Sequence, residues 1–369
     1  MQLSRLRLES RLSIFLSLCY NAAECDGTEV TIVFEKLTNS YFYGKSGKGD
    51  LRPEDLPANR WELFGTTLRV RFASLVRLNL MYLVVWLPLI VVLAINFLSL
   101  LQLTDSVDLG DGTSLASRAA VQMAEDPEAV DPAQAAVISA EDAGDQLQGM
   151  VTLALLMLIP CIAITGPATA GVSYVTRNWS RDEHAFIWAD FKDAVKANWK
   201  QSLAVSTITG FVPALVYIAW RFYGSLASGQ PLMLVLQGLV LMIGLVWAIS
   251  VTYMHPLIVT YDLRLGQILR NALLLSVAKL PMSIGVRLLH ALPLLLCAAL
   301  ALLWNPMWAM LILFAYYVLI GFALSRFITA SYTNSVFDRY LNPRIAGAKV
   351  NQGLREKDPD CDDEDKEVE

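Results

Sequence analysis

Residues 165–202 (TGPATAGVSYVTRNWSRDEHAFIWADFKDAVKANWKQS) join the end of a long apolar segment to a charged segment that contains tryptophan. In the first part, proline follows glycine among alanines and threonines. Proline lacks a backbone donor and disfavours helix at the residue before it, whereas small side chains let two helix backbones approach closely. We interpret this part as a bend and a packing face at the end of a membrane span, formed by Thr165, Gly166, Pro167, Ala170 and Tyr174. The alternative is a half-helix terminus that opens towards a ligand, as in transporters.

The second part of the same stretch has the spacing of an amphipathic helix. Three aromatic residues recur at helical intervals, with charged residues on the other faces: Trp188, Phe191 and Trp199. Ser180 and Glu183 have capping-box spacing, which predicts a helix over residues 183–200. Because aromatic and basic side chains beside a span suit the headgroup layer, we expect this interfacial helix to lie in the plane of the inner leaflet. A soluble helix packed on the bundle is the alternative.

The composition is that of a membrane protein. Hydrophobic residues make up 55% of the 369 residues and charged residues only 17%, below the roughly 25% typical of soluble domains. Six apolar runs are long enough to cross a bilayer, and they cover approximately residues 79–103, 150–174, 202–223, 232–254, 284–304 and 307–330. Because backbone groups cannot stay unpaired in hydrocarbon, and these runs are too long for barrel strands, the predicted fold class is all-α, a polytopic membrane helical bundle.

A pattern of surface helix, outward span and returning span is indicated three times along the chain. Amphipathic segments precede the first, third and fifth spans, at residues 61–78, 183–200 and 263–281. We hypothesise an internal repeat with three amphipathic helices on the cytoplasmic side. The membrane domain is then 61–340, between a cytoplasmic N-terminal extension, 1–60, and a cytoplasmic acidic tail, 341–369.

The distribution of basic residues predicts the orientation. Of the 29 lysine and arginine residues, only Arg118 lies in a predicted external segment, and three lie within spans. By the positive-inside rule, this is a multi-pass protein of the cell membrane with both termini in the cytoplasm. Residues 104–149 contain ten acidic residues and no aromatic residue, so they form an external acidic insertion. We expect a solvated, partly helical loop there, and binding of a cation or a partner is the alternative.

Few ionisable residues lie within the predicted spans, and none of them is acidic. Arg221 lies at an outer helix end beside aromatic residues, where it can snorkel. Arg287 and His290 share one helix face, and Arg287 and Arg326 lie 18 and 20 residues from the Asn305-Pro306 turn, so they should reach a similar depth near the inner boundary. Either the arginines snorkel to lipid phosphate, or Arg287, His290 and Arg326 form a site for an anionic ligand or headgroup.

Motifs of catalysis are missing from the sequence. Its three histidines have no zinc-binding spacing, its cysteines form no CxxC pair, and neither a nucleophile elbow nor a phosphate-binding loop occurs. We therefore expect no enzyme activity, metal site or cofactor, and no nucleic-acid partner. The absence of acidic residues from the spans also argues against an ion-coupled transporter. The coupling-loop motif of binding-protein-dependent permeases is incomplete here.

The opening stretch resembles the YesL family, bacterial membrane proteins built around a domain of unknown function. The residues that carry the resemblance are Thr165-Gly166-Pro167-Ala168-Thr169-Ala170, Tyr174, Asp190-Phe191 and Asn198-Trp199-Lys200-Gln201. Such proteins accompany sugar-uptake and polysaccharide-utilisation systems in Gram-positive bacteria. The resemblance implies that context and gives no activity.

Together, these observations lead to two main functional hypotheses, and a scaffold or assembly factor without a ligand fits the missing chemistry equally well. The first is an accessory or regulatory component of carbohydrate uptake, which lies in the lipid bilayer and contacts a sugar transporter or a sensor protein. The second is a self-sufficient small-solute transporter or permease-like subunit that uses the proline-containing helices as gates. The sugar context comes from the family resemblance alone.

Overall fold

A computed structural model describes residues 56–107, 114, 139–227 and 229–355. Residues Pro57–Leu354 form one compact unit. In chain order its helices are α1 Arg60–Val70, α2 Phe72–Ser106, α3 Ala140–Trp179, α4 Ile187–Ala227, α5 Leu232–Thr260, α6 Leu265–Ala278, α7 Leu280–Leu303, α8 Pro306–Tyr316 and α9 Phe322–Tyr340. A π-helical turn, Tyr317–Gly321, joins α8 to α9, and a 3₁₀ turn, Asn342–Arg344, follows α9.

Six helices among the described residues are long and apolar enough to cross a membrane, which confirms the predicted all-α polytopic bundle. They are α2 to α5, α7, and the combined segment Pro306–Arg344. Most of them extend beyond the apolar runs at one or both ends. We call the end of the bundle where α3 meets α4 the basic end, and the opposite end the acidic end.

The centre of the bundle is the antiparallel pair of α3 and α4, which we call the hairpin. Glycines let the two helices approach each other closely. A Cβ atom added at Gly166 would lie 2.5 Å from the carbonyl oxygen of Ser202, and one added at Gly210 would lie 3.1 Å from the backbone of Ile159. Unlike a flexible side chain, the Ser202 backbone cannot shift to make room for a Cβ atom. Position 166 therefore requires glycine.

The prediction of a separate interfacial helix over residues 183–200 is wrong. Residues from Ile187 onwards are the first half of α4, which continues without a break into the third span. Phe191 packs over Gly171 of α3, where an added Cβ atom would meet its ring at 2.5 Å. The segment therefore packs on the bundle, as in the alternative interpretation, because its aromatic face has a helix to contact.

The predicted capping box is also wrong. Ser180 ends α3 as its C-cap, and its side chain donates to the carbonyl of Arg177. The start of α4 is instead capped by Asp190, whose carboxylate accepts a hydrogen bond from the backbone N–H of Phe186 at 2.8 Å. The helix that contains the predicted second span continues beyond residue 174, since α3 runs through Pro160 and Pro167 to Trp179.

The other two amphipathic segments do form separate helices. The first is interrupted at Arg71, where α1 ends and α2 begins. The third is α6, which is separated from α7 at Lys279 and packs on α5 through a hydrogen bond of 2.8 Å between Ser250 and Ser276. Because α4 lacks such an interruption, the three proposed repeat units differ in structure.

Helix α5 is longer than the predicted fourth span, 232–254, because it continues through Pro256 to Thr260. Neighbouring helices can satisfy the backbone groups that a proline frees inside a membrane helix. His255 therefore lies within the helix, where it is only 4% exposed.

Asn79 stabilises the π-helical turn in the last span. Its amide nitrogen donates to the carbonyls of Tyr317 and Val318 at 2.9 and 2.8 Å, and its oxygen accepts from the N–H of Ala323 at 2.9 Å. A π-turn disrupts the regular backbone ladder, and unpaired groups are costly in an apolar environment. One fully buried side chain of α2 thus satisfies three backbone groups of the neighbouring span.

Polar contacts join the first and last helices at the basic end. The Asp338 carboxylate pairs with Arg60 and accepts from the backbone of Asn351. Tyr261 donates to the side-chain oxygen of Asn342 at 2.6 Å. Burial, with a further contribution from the charge of Asp338, raises the pKa of Tyr261 to about 12, so its hydroxyl stays protonated. The chain up to residue 354 is thereby held against the bundle.

Parts of the predicted domain organisation fall outside the described residues. These are the N-terminal extension up to residue 55, residues 108–113 and 115–138 of the acidic insertion, and the tail from residue 356. The flanks of the insertion belong to α2 and α3.

Replacing Gly166 with alanine should destabilise the protein by about 1–3 kcal/mol, because the added methyl group meets the Ser202 backbone. Gly285→Ala is the control, since an added Cβ atom there has no neighbour within 4 Å. The control should be neutral or stabilising by about 0.5–1 kcal/mol through its greater helix propensity. Melting temperatures in detergent measure both changes, and equal effects would contradict the packing contact.

Replacing Asn79 with leucine should destabilise the protein by roughly 1–3 kcal/mol, because it leaves buried backbone groups of the π-turn without partners. Asn96→Leu, in the same helix, is the control, since the Asn96 side chain donates only to the carbonyl of Val92 in its own helix. A melt in detergent compares the two variants. Equal melting temperatures would show that Asn79 is dispensable.

Candidate functional site

The most polar region within the membrane-spanning helices lies where α4, α5, α7 and α9 meet. We call it the polar cluster, and it consists of Ser206, His255, Arg287, His290, Arg326 and Thr329. It contains the three residues that the sequence predicted as an anion or lipid site, together with two neutral partners and a second histidine.

A hydrogen bond fixes the relative position of α7 and α9. His290 donates from Nε2 to the carbonyl of Ser325 at 2.9 Å, and Thr329 donates to the same carbonyl at 2.8 Å. Nearer the basic end, the hydroxyl oxygens of Ser283 and Tyr332 lie 3.1 Å apart and connect the same two helices. Arg287 lies between these two contacts on α7, about 10 Å along the helix from its start at 1.5 Å per residue.

The basic residues of the polar cluster lie on neighbouring parts of two helices. Arg287 is three residues before His290 on α7, and Arg326 follows Ser325 on α9, whose carbonyl accepts the hydrogen bond from His290. The three residues of the predicted site therefore lie beside one interhelical hydrogen bond. The structure also adds His255, whose Nε2 lies 3.3 Å from the Ser206 hydroxyl.

No carboxylate neutralises this cluster among the residues that the structure describes. The ion pairs of Arg60, Arg71 and Arg181 all lie at the basic end. Within the cluster, the buried Nε atom of Arg287 and the buried Nδ1 atom of His255 have no hydrogen-bond partner in the described chain. Arginine stays charged in proteins, so these guanidinium groups bring positive charge into a region of low dielectric without a counter-charge.

Three hydroxyl groups bond to one another next to the polar cluster, towards the basic end. Tyr253 lies 2.6 Å from Ser283 and 2.8 Å from Tyr332. These contacts tie α5, α7 and α9 together. They give the polar cluster a rigid wall on that side, since all three hydroxyls are paired.

The predicted packing residues lie on α3, close to the polar cluster. Thr165 and Ala170 are buried and Tyr174 is half-buried. A Cβ atom added at Gly166 would lie 2.7 Å from the hydroxyl oxygen of Ser206, which belongs to the cluster. Pro167, half-buried, lies inside a continuous helix, so the half-helix terminus considered as an alternative is not formed.

Two of the three predicted interfacial aromatic residues lie on the outer face of the hairpin, and the third, Phe191, packs on Gly171. Trp188 and Trp199 are 65% and 47% exposed, and Lys200 lies over the ring of Trp199. Two large cavities adjoin this region. One, of about 640 Å³, is lined by residues 196–201 and 258–262, and the other, of about 510 Å³, is lined by Arg71, Ser74, Trp179 and residues 184–189.

Reasoning from the sequence missed His255 and Ser206. His255 was placed beyond the span because Pro256 follows it, although the apolar residues 257–260 were a signal that the helix continues. Nothing in the sequence marks Ser206 as a site residue, because an isolated serine in an apolar run is common in membrane helices. In the described ranges, no group of three or more histidine, cysteine or acidic residues could hold a metal ion.

Comparison with known proteins gives one match. The sequence model of a family described as "Protein of unknown function, DUF624" matches residues 149–220, which cover most of α3 and α4. No curated protein and no solved structure matches the chain. The chain is thus a multi-pass membrane protein whose hairpin carries a domain of unknown function.

Proposed function

We propose that this protein is a non-enzymatic accessory or regulatory component of carbohydrate uptake in the cell membrane, with its basic end in the cytoplasm. Its cytoplasmic partner would be a sugar transporter or a sensor protein. The observation that carries the proposal is the hairpin, which is much longer than a membrane is thick.

The length of α4 supports a projection beyond the bilayer. Its 41 residues extend about 60 Å at 1.5 Å per residue, whereas the hydrocarbon core is about 30 Å thick. The apolar part of the helix is residues 202–223, and the segment 187–201 contains five charged residues. This segment is therefore suited to water or to a protein partner.

The projecting part of the hairpin exposes large aromatic side chains. Phe186 is 68% exposed and Trp188 is 65% exposed. Aromatic residues are enriched where proteins bind one another, because they bury a large area at low entropic cost. Both residues also line the cavity of about 510 Å³, which offers a recess for a partner side chain.

The projection is held in position before any partner binds. Arg181, in the turn of the hairpin, donates to Gln352 at 2.8 Å and pairs with Glu183. Asn334 of α9 donates to Ser180 in the same turn. A surface that is already ordered loses less entropy on binding, which favours a docking role.

The carbohydrate context has a separate basis. It rests on the resemblance of residues 165–201 to the YesL family, and the matched family model covers the same hairpin. A self-sufficient carrier is the second candidate. It is favoured by the polar cluster, since unpaired basic residues within membrane spans commonly mark substrate pathways.

The proposed orientation can be tested by cysteine labelling. With the five native cysteines replaced, a cysteine at Gln230, exposed at the acidic end, should react with an impermeant maleimide on intact cells. A cysteine at Ala346, exposed at the basic end, should react only after permeabilisation. The opposite pattern would overturn the assignment.

The proposed partner can be captured by photo-crosslinking in cells. A photoreactive amino acid at Trp188 should give a protein adduct of defined mass, identified by mass spectrometry as a transporter subunit or sensor. The matched control is Leu302, which is 88% exposed at the acidic end and should give none. If Trp188 yields only lipid adducts, the docking role is wrong.

A transport assay separates the two candidates. Purified protein in liposomes should not accumulate labelled sugars without a partner. Uptake by the protein alone, lost in an Arg326→Gln variant, would favour the carrier.

A further inference from the structure

We propose that Arg287 and Arg326 bind a phosphate oxyanion between α7 and α9, either the headgroup of a phospholipid or free inorganic phosphate. This inference goes beyond the proposed function and does not depend on a docking partner. It rests on the contacts and charges of the polar cluster.

The charge balance is the first reason. Arg287 lies three residues before His290 on α7 and Arg326 follows Ser325 on α9, so both arginines lie beside the hydrogen bond of 2.9 Å that joins His290 to Ser325. Removing a charge from water is costly unless it is paired, and two like charges add repulsion. The described chain supplies no carboxylate to this region, so an anion from outside is the group that can neutralise it.

The available donors are the second reason. Arg287 has a buried Nε–H without a partner in the described chain, and neither Arg287 nor Arg326 takes part in an ion pair there. A guanidinium group presents its donors in a planar fork that matches the oxygens of phosphate. Two such forks can contact several oxygens of one phosphate group.

The position in the bundle is the third reason. Side chains next to Arg287 on α7 face outwards, and Leu288 is 58% exposed. A site about 10 Å from the start of α7 is within reach of a headgroup drawn slightly into the bilayer from the basic end. The neighbouring hydroxyl groups of Tyr253, Ser283 and Tyr332 bond to one another, so they are not needed as partners by the arginines or by a ligand.

Full-length protein, delipidated in a neutral detergent, allows a direct test. Three compounds are titrated and bound species are counted by native mass spectrometry: inorganic phosphate, phosphatidic acid, and diacylglycerol, which has acyl chains but no phosphate. We expect phosphatidic acid to bind at least ten times more tightly than diacylglycerol. If inorganic phosphate also binds, the site accepts the free anion; if only phosphatidic acid binds, the ligand is the lipid headgroup.

Charge-matched variants locate the binding site. Arg287→Gln and Arg326→Gln should each weaken binding at least tenfold. Arg221→Gln removes an exposed arginine of α4 near the acidic end and should leave binding unchanged. Arg287→Lys keeps the charge but loses the fork, so we expect a smaller, severalfold loss. If a glutamine variant cannot be purified in folded form, Arg287→Lys still tests the proposal.

Stability without ligand gives a second readout. If the arginines serve only to pack the helices, each glutamine variant should melt at a lower temperature than the wild type with or without phosphatidic acid. If they form an anion site, the variants should match or exceed the wild type in its absence, because repulsion is relieved, and lose the stabilisation that the ligand provides. Binding that is unchanged in both glutamine variants, or equal binding of diacylglycerol, would overturn the proposal.

Discussion

The contact between Gly166 and the backbone of Ser202 is the constraint on which the rest of the bundle depends. It sets the distance between α3 and α4, the two longest helices, and every other span packs on one of them or on a neighbour of one. Lipid tails are as apolar as leucine, so burial does not drive helices together inside a membrane. Close packing and hydrogen bonds must do so. Small residues along 165–171 allow the close packing. Pairs such as Tyr82 and Thr169, whose hydroxyl oxygens lie 2.6 Å apart, provide the hydrogen bonds.

The polar groups within the bundle fall into two classes. Asn79 and the hydroxyl groups of Tyr253, Ser283 and Tyr332 have partners, and they stabilise particular helix positions. The buried Nε–H of Arg287 has no partner in the described chain, and no ion pair there involves Arg287 or Arg326, although arginines are among the most costly groups to place in hydrocarbon. Buried neutral groups such as the hydroxyl of Ser202 and the indole of Trp247 also lack a partner in the described chain, so it is the two uncompensated charges that indicate a site for a ligand.

Much of the architecture could be predicted from the sequence, because the apolar runs report directly on the environment of each span. The positions of the helix ends could not be predicted from the sequence. The fourth apolar run was ended at residue 254, but α5 continues through Pro256 to Thr260, which neighbouring helices allow. Residues 187–201 have the composition of a surface helix, and only tertiary packing of Phe191 on Gly171 shows that they continue a span. The similar depth of Arg287 and Arg326 could be predicted by counting residues along two helices. The position of His255 near them could not be predicted until the length of α5 was known.

Ser206 connects the two regions to which function has been assigned. Its hydroxyl oxygen lies at the position where Gly166 of the hairpin comes closest to α4, and it also contacts His255 of the polar cluster at 3.3 Å. Because well-packed interfaces respond to displacement in small, discrete repacking steps, a ligand that shifts α5 or α9 at the polar cluster changes the surroundings of this one serine. The same α4 carries the exposed aromatic residues beyond the membrane. Helix α4 thus contacts the polar cluster through Ser206 and also carries the aromatic residues of the proposed docking surface, so one helix connects the two regions.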